Sequence, residues 1–307
     1  MDRRTPLFWW NAVARMQKGR FGTLLGMTPE ELGGTLRVEA LDDRESLVSL
    51  AVPSWCCQDG RLRLAAAVAM VDEASTYAGA CAWDARRRAG VSIQLAGRAA
   101  NARGRLDAGP GDRIGLRTTR VRVGRTIAFL KARVERGDHV LAQCSHVKFL
   151  PGGFLRDNLF HPLVRGVTVP AIDRIAGRLP LHERGVPDNI DDIFDLSFSG
   201  NDTESASTMA VSERHGNPMG SIHGGASVVL ANLGAERWMR QGDPAAATRP
   251  LWIKTNLVQG IDCASGQTAT LSVSEERDDT LDRINSTNSI MTNNGNVCAD
   301  TVIGWSL

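Results

Sequence analysis

Displacing the sequence by 160 positions lays one half of the chain on the other without a gap. Gly60 meets Gly220, Ala66 meets Ala226, Val68 meets Val228, and Asp72 meets Asn232. Ala51 falls on Val211, Leu62 on Ile222, and Leu95 on Thr255. Identities are few, but the pattern is shared: strand, glycine-containing turn, long apolar helix, strand. A repeat constrains architecture more than any single element does. Two copies in 307 residues predict two similar modules, each able to build its own core, rather than a solenoid. The boundaries read as an N-terminal helical extension over 1–34, a first module over 35–150, a Pro- and Gly-bearing linker over 151–189, and a second module over 190–307.

Within each module the hydrophobic pattern predicts one long helix followed by an antiparallel sheet, an α+β arrangement. Leu62–Trp83 is apolar nearly all round, which marks a buried helix, and Ala226–Arg240 is its counterpart. In the stretch after the first helix, Ile127, Phe129, Lys131 and Arg133 share one strand face, and Ala128, Leu130, Ala132 and Val134 the other. Gly124 and Arg136-Gly137-Asp138 punctuate hairpins. Further strands are expected near Thr35–Leu41, Ser46–Val52, Ile193–Phe198 and Leu251–Val258. Near the start, Pro6–Lys18 reads as an amphipathic helix whose Trp9 and Trp10 join the core, and Thr28-Pro29 as a helix start.

Charge and composition exclude several classes. The 36 basic and 34 acidic side chains nearly cancel, so no nucleic-acid partner is expected. Arg86-Arg87-Arg88 reads as a solvated helix end, and Arg98 and Lys254 as surface charges. No apolar run is long enough to span a bilayer, and no secretory signal is visible. The expectation is a cytoplasmic protein with no membrane partner. The six cysteines form no C-x-x-C pair and have no histidines at zinc spacing, so buried free thiols and no metal are expected.

The chemistry concentrates in Asn217-Pro218-Met219-Gly220-Ser221-Ile222-His223-Gly224-Gly225, at the head of the second apolar helix. A glycine pair opening a helix leaves bare N–H groups open to close approach, and the helix dipole adds partial positive charge. Such a site suits a polarised carbonyl oxygen or an oxyanion. His223 reads as a hydrogen-bonder at the helix start. Asn217, before proline, is a turn residue or a donor.

A sheet wrapped around a long helix that is entered through His-Gly-Gly resembles the hotdog fold, in its acyl-CoA thioesterase branch. That resemblance implies an Asn six residues before the His, an acid nine residues after it, and a Ser or Thr on the helix or the next strand. It also implies that these parts come from two hotdogs lying side by side. On this chain the C-terminal half keeps Asn217, His223 and Gly224, but Asn232 stands at the acid position and Trp252 at the strand-hydroxyl position. The N-terminal half has Cys57 and Arg63 at the Asn and His positions, but keeps Asp72 and Ser92, with Thr76 one turn further on. The resemblance therefore implies two tandem hotdogs forming an intramolecular pseudo-dimer, one composite site and one dead one, with further homo-oligomerisation left open. The implied activity is hydrolysis of an acyl-CoA thioester, the CoA ester being substrate and no cofactor being needed. Asp72 would serve as base or nucleophile. Two alternatives remain: a non-catalytic acyl-CoA binding protein, and a hydratase or dehydratase. The latter pattern has an Asp five residues before the His, where this chain has Pro218.

Overall fold

A computed structural model describes residues 10, 14, 20–84, 88, 90–152, 171, 174, 187–201, 204–242, 249–263, 266–276 and 286–306. Twelve strands form one large antiparallel sheet. From the first half come β1 (Arg37–Leu41), β2 (Glu45–Ala51), β5 (Val91–Ala99), β6 (Arg113–Val123), β7 (Ile127–Arg136) and β8 (His139–Phe149). Between β2 and β5 lies a separate two-strand ladder of β3 (Cys57–Gln58) and β4 (Arg61–Leu62). From the second half come β9 (Ser197–Asn201), β10 (Glu204–Ala210), β11 (Arg249–Leu257), β12 (Thr268–Glu276), β13 (Ser286–Asn293) and β14 (Asn296–Ser306).

The spatial order is β1-β2-β6-β7-β8-β5-β11-β14-β13-β12-β10-β9. Read outward from the β5–β11 pair, both wings run through a three-strand meander and then two short strands. The seam between the wings is itself antiparallel, with Leu95 opposite Thr255 and Gly97 opposite Ile253. Leu95 and Thr255 are the residues that the sequence displacement superposes, so the local pseudo-twofold passes between them. Gly60 and Gly220, one of the few identities in the repeat, also share a physical requirement. Both have positive φ, 70° and 84°, in the turn that leads into a helix.

The front helix, Leu64–Ser75, is buried at every residue. It continues through a wide π turn, Thr76–Ala80, into Cys81–Trp83. The rear helix spans Gly224–Gly242. Small residues let these elements approach closely. A Cβ added at Gly97 would lie 2.3 Å from Val68 Cγ2, so the front helix rests directly on β5. A Cβ at Gly225 would lie 2.7 Å from that of Ala69, so the two helices touch near the head of the rear one. One hydrophobic cluster runs through both halves, from Val68 and Leu95 to Ile253 and Trp305.

Several expectations shift. The stretch near Ile193–Phe198 is not a strand from its start: Asn189 accepts from the Asp191 amide and opens a 3-10 turn, Ile190–Asp192, and the strand begins at Ser197. Thr28-Pro29 leads only into a 3-10 turn, Glu30–Leu32, which Gly33 stops at φ 81°. Trp10 is buried against Tyr77, while Trp9 and most of Pro6–Lys18 and of the 151–189 stretch lie outside the described residues. Arg88 is no solvated helix end. It is buried, grips both carboxylate oxygens of Asp84 at 2.8 and 2.9 Å, and donates to the Leu150 carbonyl. Arg86 and Arg87 lie outside the described residues.

Candidate active site

Asp72 sits in the middle of the front helix with its side chain buried. Its carboxylate is held from both halves of the chain. On Oδ1, the Ser92 hydroxyl donates at 2.7 Å. On Oδ2, the Gly225 amide at the head of the rear helix donates at 3.0 Å. A Cβ built at Gly224 would stand 2.9 Å from the same oxygen, so glycine is what permits the approach.

Ser92 reaches inward because β5 carries a bulge. Its pairing with β8 slips between Ser92 and Gln94. Without that slip, Ser92 would share a face with Gln94 and Ala96 and point away from the front helix. In β11 the irregularity comes between Pro250 and Trp252. That is further along the strand, so the place opposite β14 that Ser92 takes opposite β8, two partners on from the Leu95–Thr255 pair, is held by the buried Ile253, opposite Ile303. Trp252 pairs with the exposed Arg98 on the outer face, where its indole covers Gly304. The linear displacement that matches Ser92 with Trp252 thus fails by one residue at this point.

Two side chains of β8 complete the front wall. His146 Nε2 lies 2.9 Å from Ser92 Oγ and 3.3 Å from Asp72 Oδ1, and its Nδ1 lies 2.6 Å from Ser75 Oγ. Lys148 Nζ donates to Thr76 Oγ1 at 2.7 Å and to Ser92 Oγ at 3.1 Å. Thr76 in turn donates to the Asp72 backbone carbonyl at 2.5 Å, so its hydroxyl does not reach the carboxylate. Ser92 gives its one proton to Asp72, so it accepts from both His146 and Lys148. His146 is then the Nε2–H tautomer, with Nδ1 facing the Ser75 hydroxyl, whose one proton is shared between that nitrogen and the Val71 carbonyl at 2.5 Å. Burial pushes His146 down to about 3. Near neutrality it offers Asp72 an N–H dipole rather than a charge. Burial also lowers Lys148, against the opposing pull of Asp72 and Glu73.

The rear wall is the His-Gly-Gly turn. His223 Nε2 lies 2.6 Å from Glu73 Oε1, and Nδ1 lies 3.5 Å from Asp72 Oδ2. Burial alone would lower the His223 pKa, but Asp72 and Glu73 outweigh it and raise it. The Gly225 amide is shared between Asp72 Oδ2 and His223 Nδ1, the latter at 2.9 Å; protonation of Nδ1 would turn that nitrogen's hydrogen toward Asp72 and leave the amide to the carboxylate. For Asp72 the balance also runs against burial. His223, His146, Lys148 and the Ser92 hydrogen bond together bring it to about 2. Phe21 from the N-terminal segment lies against the His223 ring at a centroid distance of 5.4 Å.

Asn217 is oriented by its own turn. Its Oδ1 accepts from the amides of Met219 at 2.8 Å and Ser221 at 3.4 Å. Arg20 donates to its carbonyl at 2.6 Å. The Asn217 side-chain NH2 and the Gly224 amide have no hydrogen-bond partner among the described residues. Both residues line a cleft of about 590 Å³, together with Asp72, Ser92, His223 and Thr76. Its apolar lining includes Tyr77, Ile93, Phe149 and Leu257.

At the pseudo-symmetric position the arrangement is closed. Arg63, at the His223 position, pairs with Glu236 at 2.7 Å, and the Asn232 amide donates to Glu236 at 2.6 Å. The space beside them is about 20 Å³.

His146, Lys148 and Glu73 were absent from the sequence reading. A signal for the first two existed. They continue the inward row of Ala142 and Cys144 on β8, where two titratable residues are out of place unless they meet partners.

This is the hotdog fold, the architecture of many solved thioesterases. The chain is similar to acyl-CoA thioesterase II TesB2 of Mycobacterium marinum, with 9% identity, 88% of this chain and 94% of that one covered, and a TM-score of 0.54. It is similar also to the tesB protein of Mycobacterium avium subsp. paratuberculosis, at 8% identity, 88% and 95% coverage and a TM-score of 0.55. A conserved protein of unknown function with a hot dog fold from Alicyclobacillus acidocaldarius matches at 10% identity, 87% and 95% coverage and a TM-score of 0.53. No protein-family model and no curated protein matches the sequence.

Proposed function

We propose that the chain is an acyl-CoA thioesterase made of two tandem hotdogs that share one composite active site. The observation that carries this reading is the double anchoring of the Asp72 carboxylate by Ser92 and by the Gly225 amide, inside the 590 Å³ cleft. In this reading the thioester carbonyl oxygen takes the two unengaged donors, the Gly224 N–H and the Asn217 NH2. Charge builds on that oxygen as the tetrahedral adduct forms, and each such donor supplies about 3 kcal/mol of barrier lowering. Asp72, whose Oδ2 a Cβ at Gly224 would meet at 2.9 Å, stands beside that glycine as base for the attacking water or as the attacking carboxylate. Ser92 and His146 fix which lone pair faces the cleft. Lys148 and His223 keep the group ionised. The paired helices exclude bulk water, and the apolar lining receives the acyl chain.

Asp72→Asn tests the reading. Against a panel of acyl-CoA thioesters assayed by thiol release, kcat falls by about 10²–10⁴-fold while the thermal transition persists. Unchanged turnover in that variant refutes the proposal. Tight acyl-CoA binding by the unaltered chain without thiol release points instead to a binding protein.

A further inference from the structure

The mouth of the cleft continues onto an exposed sheet surface of unusual composition. Residues 113–133 contain seven basic side chains and no acidic one, although the chain as a whole is nearly neutral. They form β6, β7 and the turn between them. Glu30 engages Arg113, and Glu135 engages Arg117. Arg122, Arg125, Lys131 and Arg133 are exposed and form no ion pair among the described residues, whereas Arg120 pairs with the inward Leu130 and lies on the other face.

Large apolar side chains are interleaved with these cations. Val91, Val121, Ile127, Phe129 and Phe149 are between 37% and 56% exposed. Ile127 and Phe129 point outward, because Ala128 and Leu130 between them are buried. Ile127 pairs with Phe149, and Phe149 with Val91, so the ridge crosses β7, β8 and β5. Phe149 and Val91 also line the cleft. The ridge therefore ends at the opening, where Met219 and Val258 of the rear half add two more exposed apolar groups.

We propose that this face is a peripheral docking surface for an anionic lipid bilayer, holding the cleft mouth against the interface. The charge is complementary to acidic headgroups. The mixing of aliphatic, phenyl and guanidinium groups on one surface suits the interfacial zone, where apolar tips enter the acyl region and cations stay at phosphate level. A protein-binding surface has a different layout, with an apolar centre ringed by polar residues. No helix among the described residues is long and apolar enough to cross a membrane, so the contact is peripheral. It departs from the expectation of no membrane partner. The inference goes beyond the proposed catalysis and does not depend on it.

Vesicle flotation of the full chain tests it. Phosphatidylcholine vesicles containing phosphatidylglycerol carry the protein up, pure phosphatidylcholine vesicles do not, and high salt releases it. Arg122→Glu and Arg125→Glu each weaken binding roughly fivefold, and Phe129→Ser does so without added charge. Thiol release from a short-chain, water-soluble acyl-CoA is unchanged in all three. Equal recovery with neutral and anionic vesicles, or equal binding by the variants, overturns the proposal. So does a dimer that Phe129→Ser converts to monomer, since a second copy would then cover the face. Asp72→Asn, which tests the catalytic reading, leaves flotation unaltered.

Discussion

At the residue scale the site is a balance of charge in a buried space, and its titration should be visible in stability. Asp72 is held at about 2, below its ordinary 3.8. The stability it contributes is therefore present above pH 4 and lost as pH falls toward 2. His223 has the opposite sign. Its pKa is raised above 6.5, so its contribution is full below that value and is lost as pH rises through the folded-state pKa. Glu73 provides the shortest contact to that ring. Glu73→Gln should cost about 3 kcal/mol at a pH where His223 is protonated, because it leaves an imidazolium buried beside one carboxylate instead of two. Thermal melts across pH check this: the variant loses the decline on the alkaline side and keeps the one on the acid side. Asp72 was legible through the repeat and the resemblance, which set it at the acid position nine residues after Arg63. Its supporting cast on β8 was not, since His146 and Lys148 lie 74 or more positions away from it in sequence and meet it only through strand pairing.

At the scale of the element, one irregularity in β5 decides whether the site exists. The helices, their glycine-bearing entries and most strands follow from periodicity alone, because a buried helix needs apolar residues all round and a half-buried strand needs alternation. The bulge at Ser92–Gln94 has no such signature, and that is why residue counting matches Ser92 with Trp252 while the backbone register matches it with Ile253. Ser92→Ala should remove the hydroxyl that the bulge turns inward and leave the strand register as it is. The expected outcome is a loss of about 10²-fold or more in kcat with a cooperative melt retained, because one side-chain oxygen is lost and no strand changes register. Thiol release and near-UV circular dichroism together measure it. Retention of full activity would mean that the hydroxyl is dispensable.

At the scale of the whole molecule, the two wings have been treated unequally. One junction between the helix heads opens into a cleft, and the other is filled by Arg63, Asn232 and Glu236. Buried ionic clusters of this kind are commonly replaceable by apolar side chains with neutral or favourable effect. Arg63→Met combined with Asn232→Leu and Glu236→Leu should leave turnover within about twofold and stability equal or higher by about 1–4 kcal/mol. Denaturant unfolding and steady-state kinetics on the triple variant test both halves of that statement. A large fall in turnover would show that the closed junction contributes to catalysis.

The Gly225 amide that grips Asp72 belongs to the main chain, so no ordinary base change can delete it. Side chains such as Ser92, Lys148 and Asp72 itself are free to drift, whereas the amide is inherited with the fold. Descendants of this chain that abandon its chemistry would still carry a ready-made seat for negative charge at that helix head. New activities would thus arise there by re-evolving the front wall alone.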